Sequence, residues 1–272
     1  MPIRPSFARV LLVFAAILAL AVVVVTVTSF SDRDSMVYRA ASKALFPISQ
    51  QFEVAGEPTA HAPLRAKLNQ HPDGWEWFQS ELVSKTHEAG GLVMVPSEES
   101  VWWKNKRGPL LYTHRSGDFE TSVTVTTRKK SAPKSYPDQA FQFGGLMIRD
   151  PRGAAWFSQE EYLFIAVGYR GAGLQIESKS TFNGYSKVIG TDWESGDARL
   201  RIRRKDNRFE LYAFSDKQSE WKIMQVFERD LPDVVQVGLF SYAYSRGKGI
   251  VDLIARFSDF EIHNISEQAN SN

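Results

Sequence analysis

A two-residue period governs much of the chain from residue 74 onward. In Asp118–Thr127, Phe119, Thr121, Val123 and Val125 share one parity, and Glu120, Ser122, Thr124 and Thr126 share the other. Successive side chains of an extended strand point to opposite faces, so this pattern builds a strand with one buried and one wet face. Ala198–Arg204 repeats it, with Leu200 and Ile202 opposed to Arg199, Arg201 and Arg203. The turn signal Lys205-Asp206-Asn207 follows, and then Phe209, Leu211 and Ala213 alternate with Glu210 and Tyr212, which predicts a hairpin. Gly91–Val95, Phe141–Arg149, Tyr162–Gly168, Gly173–Ser178, Trp221–Phe227, Val234–Ala243 and Ile250–Ile262 read as further strands. About a dozen strands at intervals of about 8–14 residues exceed what an immunoglobulin-type domain needs and fit a large all-β, two-sheet jelly-roll sandwich. No long helical period appears in this part of the chain.

The N-terminal part has a different texture. Val10 to Ser31 is a run of 22 uncharged residues, and a helix of that length rises roughly 33 Å, enough to cross a hydrocarbon core of about 30 Å. Arg4 and Arg9 precede the run, and Asp32, Arg33 and Asp34 follow it. The positive-inside bias therefore predicts one N-terminal transmembrane helix, N-in, with the remainder on the periplasmic or extracellular side of the cell membrane. Ala19-Leu20-Ala21 is also a small-x-small cleavage site, so a removed signal peptide is the competing reading. The apolar run continues past that site through Val22–Val25 and Val27. The expected layout is a cytoplasmic N-terminus (1–9), a signal anchor (10–31), a proline-bearing stalk (32–72), the sandwich (73–263) and a polar tail (264–272).

Charge and composition narrow the classes of function. Arg4 and Arg9 are the only charged side chains before Asp32, so 31 of the 33 basic residues lie beyond it, against 31 acidic ones. A body that is neutral overall lacks the basic footprint by which nucleic-acid binders gain from counterion release. The 272-residue chain has no cysteine, which excludes disulfides, thiolate metal sites and cysteine nucleophiles.

Several short segments, taken in order, resemble a known family. These are Gly74-Trp75-Glu76-Trp77, Gly117-Asp118-Phe119-Glu120, Gly145-Leu146-Met147-Ile148-Arg149-Asp150 after Tyr136-Pro137-Asp138-Gln139, and Leu200-Arg201-Ile202-Arg203-Arg204. Ser215-Asp216 with Trp221, Val237-Gly238-Leu239 and Phe257-Ser258-Asp259-Phe260-Glu261-Ile262 complete the set. The set resembles the DUF1349-type domain of the concanavalin A-like lectin/glucanase superfamily over about residues 74–263. The family's Asp-Gly at the late hairpin is Asp216-Lys217 here. The resemblance implies a concave sheet that holds carbohydrate in related proteins; it implies no particular reaction.

Catalysis finds little footing in the residues. A retaining glycosidase needs two carboxyl groups about 5.5 Å apart, whereas the adjacent pairs Glu98-Glu99 and Glu160-Glu161 would diverge on a strand. The pattern Glu-x-Asp-x-x-Glu is absent. His61, His71, His87, His114 and His263 are scattered without metal-ligand spacing, so no metal or other cofactor is expected; calcium gathered from distant loop carboxylates is left open. Gly168–Gly173 reads as a turn rather than a phosphate cradle. Sugar binding asks for flat aromatic faces with a few orienting polar groups. The candidates are Trp102, Trp103, Trp156, Tyr185, Trp193, Tyr242 and Tyr244. Trp102 and Trp103, being adjacent, must diverge if extended, so at most one is core. Arg199, Arg201 and Arg203 make a one-sided basic stripe. The sequence thus predicts a membrane-anchored, non-catalytic module for a glycan or envelope polymer, with an envelope protein-interaction scaffold and a glycoside hydrolase as alternatives.

Overall fold

The computed structural model describes residues 64–154, 160–216 and 219–265. The expected span at 10–31, most of the expected stalk and tail, and Trp156 lie outside the described residues. Among the described residues no helix is long and apolar enough to cross a membrane.

Fifteen strands and two short 3₁₀ turns make up the described elements. The strands are β1 (Leu64–Ala66), β2 (Glu76–Phe78), β3 (Val83–Glu88), β4 (Gly91–Pro96), β5 (Leu110–Arg115), β6 (Phe119–Arg128), β7 (Gln142–Arg149) and β8 (Tyr162–Tyr169). They continue as β9 (Leu174–Phe182), β10 (Tyr185–Asp192), β11 (Asp197–Lys205), β12 (Arg208–Ser215), β13 (Glu220–Glu228), β14 (Val235–Ala243) and β15 (Ile254–Asn264). One sheet runs β13-β12-β11-β6-β15-β4-β3, with β1 also paired to β15, and the other runs β10-β9-β8-β7-β14-β5-β2. Every pairing is antiparallel. The molecule is thus an all-β two-sheet sandwich. β1 lies in the segment read from the sequence as stalk, yet its backbone is paired with Ile262, Glu261 and Phe260.

The alternation in β6 is realised residue by residue: Phe119, Thr121, Val123, Val125 and Thr127 are buried and the intervening residues half-buried. Leu200 and Ile202 of β11 and Phe209, Leu211 and Ala213 of β12 join the same core. Leu163, Ile165 and Val167 of β8, with Val235, Val237 and Leu239 of β14, meet them from the facing sheet. The expected β11–β12 hairpin is present, with Lys205 opposite Arg208 and Asp206 at φ 52° in the turn.

Strands β7, β8 and β14 do not alternate; nearly every residue in them is buried. Their other parity forms a second apolar cluster on the far face of the seven-stranded sheet, with Phe143, Met147, Tyr162, Phe164, Phe240 and Tyr242. The segment 97–109, which carries the chain from β4 in one sheet to β5 in the other, crosses that face. Trp102 packs edge-on against Tyr162 at 5.3 Å between ring centroids, and the Lys104 amide donates to Ser186 Oγ at 2.8 Å. A strand covered on both faces needs apolar residues at both parities, which is why these runs lost their period.

Candidate functional site

Antiparallel register sets side chains of the seven-stranded sheet in rows across this face. Gly145, Ala166, Glu177 and Gly190 stand in one row, and Met147, Phe164, Lys179 and Val188 in the next. Glu177 and Lys179, two apart on β9, therefore project from the same side, among neighbours too small or too apolar to pair with them. Both are buried, at 2% and 3% side-chain exposure. The Lys179 ammonium lies 3.0 Å from Glu177 Oε1 and donates to the Trp102 carbonyl at 2.8 Å. The Tyr242 hydroxyl donates to the same carboxylate oxygen at 2.9 Å, and Arg170 Nε stands 3.9 Å from Glu177 Oε2. Burial pulls the Lys179 ammonium below its ordinary range, with the Glu177 charge opposing it. Burial, reinforced by the same carboxylate, raises the Tyr242 phenol well above its ordinary value.

Above this group opens a cavity of about 390 Å³ lined by Trp103, Lys106, Glu177, Lys179, Tyr242 and Tyr244 among others. A second hollow of about 710 Å³ is lined by Gln175, Lys248 and Ile250 and shares Phe141, Arg170 and Arg246 with the first. Lys179 sits 5.4 Å from the Trp103 ring centroid and 4.7 Å from that of Phe164, and Lys106 lies over Tyr244 at 5.7 Å. The loop carrying Arg246 and Lys248 is tied down by Glu99, whose carboxylate accepts from the Ser245 hydroxyl, from the Gly247 amide at 2.9 Å and from the Gly249 amide at 2.7 Å. The Ser245 hydrogen bond, with help from the backbone amides, lowers the Glu99 carboxyl below its ordinary value against the opposing effect of burial.

A second buried ion group anchors the crossing segment. Arg149 binds Glu160 through Nε at 2.8 Å and Nη2 at 3.1 Å, and its Nη1 donates to Gln236 Oε1 at 2.6 Å. Arg107 pairs with the same Glu160 carboxylate, and Asn105 Oδ1 accepts from the Glu160 amide at 3.0 Å. Two residues of segment 97–109 are thus held to one buried carboxylate and its backbone.

The aromatic candidates separate into distinct places. Trp102 is fully buried, so its ring offers no face to a ligand; Trp103, its neighbour, is 38% exposed and lines the cavity. Tyr242 is buried at the cavity floor and Tyr244 is half-buried at its side. Trp193 packs against the inter-sheet core, and its indole N–H donates to the Asp197 carbonyl at 3.0 Å. Tyr185 is 78% exposed, but strand alternation puts it on the opposite face of β10 from Val188, which lines the cavity. Arg199 and Arg201 lie on the other sheet, over Trp221 at 5.3 and 3.9 Å, and Arg201 also pairs with Glu120 at 3.2 Å. The structure therefore brings Trp103, Tyr242 and Tyr244 together. Sequence reasoning passed over Glu177, Lys179, Arg170, Lys106 and Arg246. The first two carried a signal, since opposite charges two apart in a strand share a face.

Among the described residues no group of three His, Asp or Glu side chains is placed to hold a metal ion. No protein-family model matches the sequence, and no curated protein does. Solved structures do. A functionally unknown protein from Saccharomyces cerevisiae superposes with TM-score 0.58 at 18% identity, covering 71% of this chain and 97% of that one. The Bacteroides ovatus xyloglucan PUL GH43B gives 0.55 at 11% identity, over 77% of this chain and 41% of that one, so this protein spans about two fifths of that chain. The exoplasmic/lumenal domain of VIP36, in its Ca²⁺/Man3GlcNAc-bound form, gives 0.51 at 12% identity, over 77% and 90%. Identities this low speak to the fold alone, an all-β two-sheet sandwich.

Proposed function

We propose that this protein is a non-catalytic glycan-binding module, a DUF1349-type domain held on the outer side of the cell membrane by residues 10–31. One arrangement carries the reading: the exposed Trp103 ring stands beside a cavity whose floor presents the ordered polar groups Glu177, Lys179 and Tyr242. An indole face suits the C–H face of a pyranose, and fixed donors and acceptors select its hydroxyls. Glu177 is the one carboxylate among the described lining residues, whereas glycoside hydrolysis uses two; this favours binding over cleavage. The likeness to VIP36, whose structure holds Man3GlcNAc, supports the same reading.

The test is a glycan array probed with the full-length chain in detergent, alongside Trp103→Ala. Binding of a defined glycan class is expected, weakened about tenfold in the variant, the equivalent of about 1.4 kcal/mol. If no glycan binds above background and a pull-down yields one stoichiometric protein, the scaffold reading replaces this one.

A further inference from the structure

Building on the glycan reading, we infer that the sugar this cavity takes is acidic, a uronic-acid or other carboxylate-bearing glycan. The body of the protein carries as many acidic as basic side chains beyond residue 31, yet the joined hollows collect Lys106, Arg170, Lys179, Arg246 and Lys248 against the single carboxylate of Glu177. Glu177 is spent on Lys179 and Tyr242, with Arg170 at the longer distance of 3.9 Å. Lys106, Arg246 and Lys248 have no carboxylate within 4 Å among the described residues.

A neutral sugar offers these exposed cations no opposite charge, whereas a ligand carboxylate in the hollows would, and Arg246 lines both. Glu99 keeps its negative charge beside the same loop, but among the described residues its oxygens are turned to the neutral donors Ser245, Gly247 and Gly249, and none pairs with Arg246 or Lys248. It holds the loop so that Arg246 and Lys248 border the hollow. Arg246 also lies 5.2 Å from the Phe141 ring, which orders its guanidinium at the junction of the two hollows. Arginine and lysine so placed form charge-assisted hydrogen bonds, which are shorter and stronger than neutral ones. Neutral sugar hydroxyls would still be served by Tyr242, Lys179 and Trp103, so recognition of the ring and recognition of its carboxylate fall to different residues.

The experiment titrates the full-length chain with matched oligosaccharide pairs: galacturonate, glucuronate and mannuronate oligomers, each beside its carboxyl-reduced neutral counterpart. At least one acidic oligomer is expected to bind about tenfold or more tightly than its reduced partner, with the difference shrinking as salt rises. The variant Arg246→Gln/Lys248→Gln alters two exposed side chains. It should narrow the ratio of acidic to reduced-sugar affinity by about tenfold. Equal binding within every pair, or preference for the reduced sugars, overturns the inference while leaving the glycan reading in place. So does an Arg246→Gln/Lys248→Gln protein that keeps full preference for the acid. Binding of no member of either series, together with an empty glycan array, overturns both.

Discussion

Replacing Glu160 with leucine removes the carboxylate that pairs with a buried guanidinium and leaves it the neutral acceptor Gln236. Arg149 has 2% side-chain exposure and Glu160 none, and both hydrogen bonds of their fork, at 2.8 and 3.1 Å, are lost together. Breaking one side of a buried pair costs about 3–5 kcal/mol, because the surviving charge stays buried without compensation. For a domain of this size each kcal/mol moves the melting temperature by about 2–4 °C, so Glu160→Leu should melt about 6–20 °C below the parent. Arg107, at 28% exposure, is freer to turn to water and adds less. The double variant Arg149→Met/Glu160→Leu removes both charges and leaves Gln236 Oε1 without its donor, a residual cost of about 1–3 kcal/mol. It should therefore be more stable than the single variant despite carrying one more substitution. Urea and thermal melts of the three proteins, with the glycan-free chain throughout, decide the matter. A single variant within about 1 kcal/mol of the parent, or a double variant less stable than the single, would refute the uncompensated-charge argument.

The adjacent tryptophans should behave oppositely. Trp102→Ala empties a fully buried site and should cost about 3–5 kcal/mol, whereas Trp103→Ala should stay within about 1 kcal/mol in the same melts; similar losses in both would contradict their placement. Alkaline titration provides another check. Burial, and after it the hydrogen bond to Glu76, pushes the Tyr112 phenol up to about 12, and burial with Glu210 does the same for Tyr212. Tyr162 and Tyr242 are also raised, chiefly by burial. Their unfolded forms ionise near about pH 10. Above that point the folded chain keeps protons the unfolded chain has shed, so this stabilisation is complete below pH 10 and is lost as pH rises through the folded values. Lys179 acts in the reverse sense, because its folded ammonium gives up its proton earlier than the unfolded one. With four raised phenols against one lowered ammonium, net destabilisation in alkali is expected. Tyrosinate absorbance should show late-ionising phenols whose appearance coincides with unfolding; all nine tyrosines ionising together near about pH 10 in a folded protein would contradict it.

Where one face of a strand meets solvent, the sequence was readable. β6, β11 and β12 alternate in the chain as they do in burial, and the turn at Lys205-Asp206-Asn207 closes between the strands it was expected to join. β1 and β2 are three residues each, too short to establish a period, and they gain their strand character from the partners β15 and β5. β10 is an edge strand whose residues are exposed or half-buried, so no apolar face marks it. In the site, aromatic type alone pointed to the Trp102-Trp103 pair and to Tyr242 and Tyr244. It could not separate the buried ring from the exposed one, nor exclude Trp193 and Tyr185, since all present the same chemistry in one dimension.

Local physics fixed what depends on neighbours along the chain: extended segments of set parity, their turns, the 22-residue uncharged run and a body with balanced charge. The tertiary structure decided what depends on residues far apart. It laid segment 97–109 across the seven-stranded sheet, set Trp103 against Lys179 across 76 positions of sequence, and gathered Lys106, Arg170 and Arg246 around one carboxylate. Strand parity assigns each side chain to a face, but which face is covered, and by what, follows only from how the sheets pair and where the long connection crosses them.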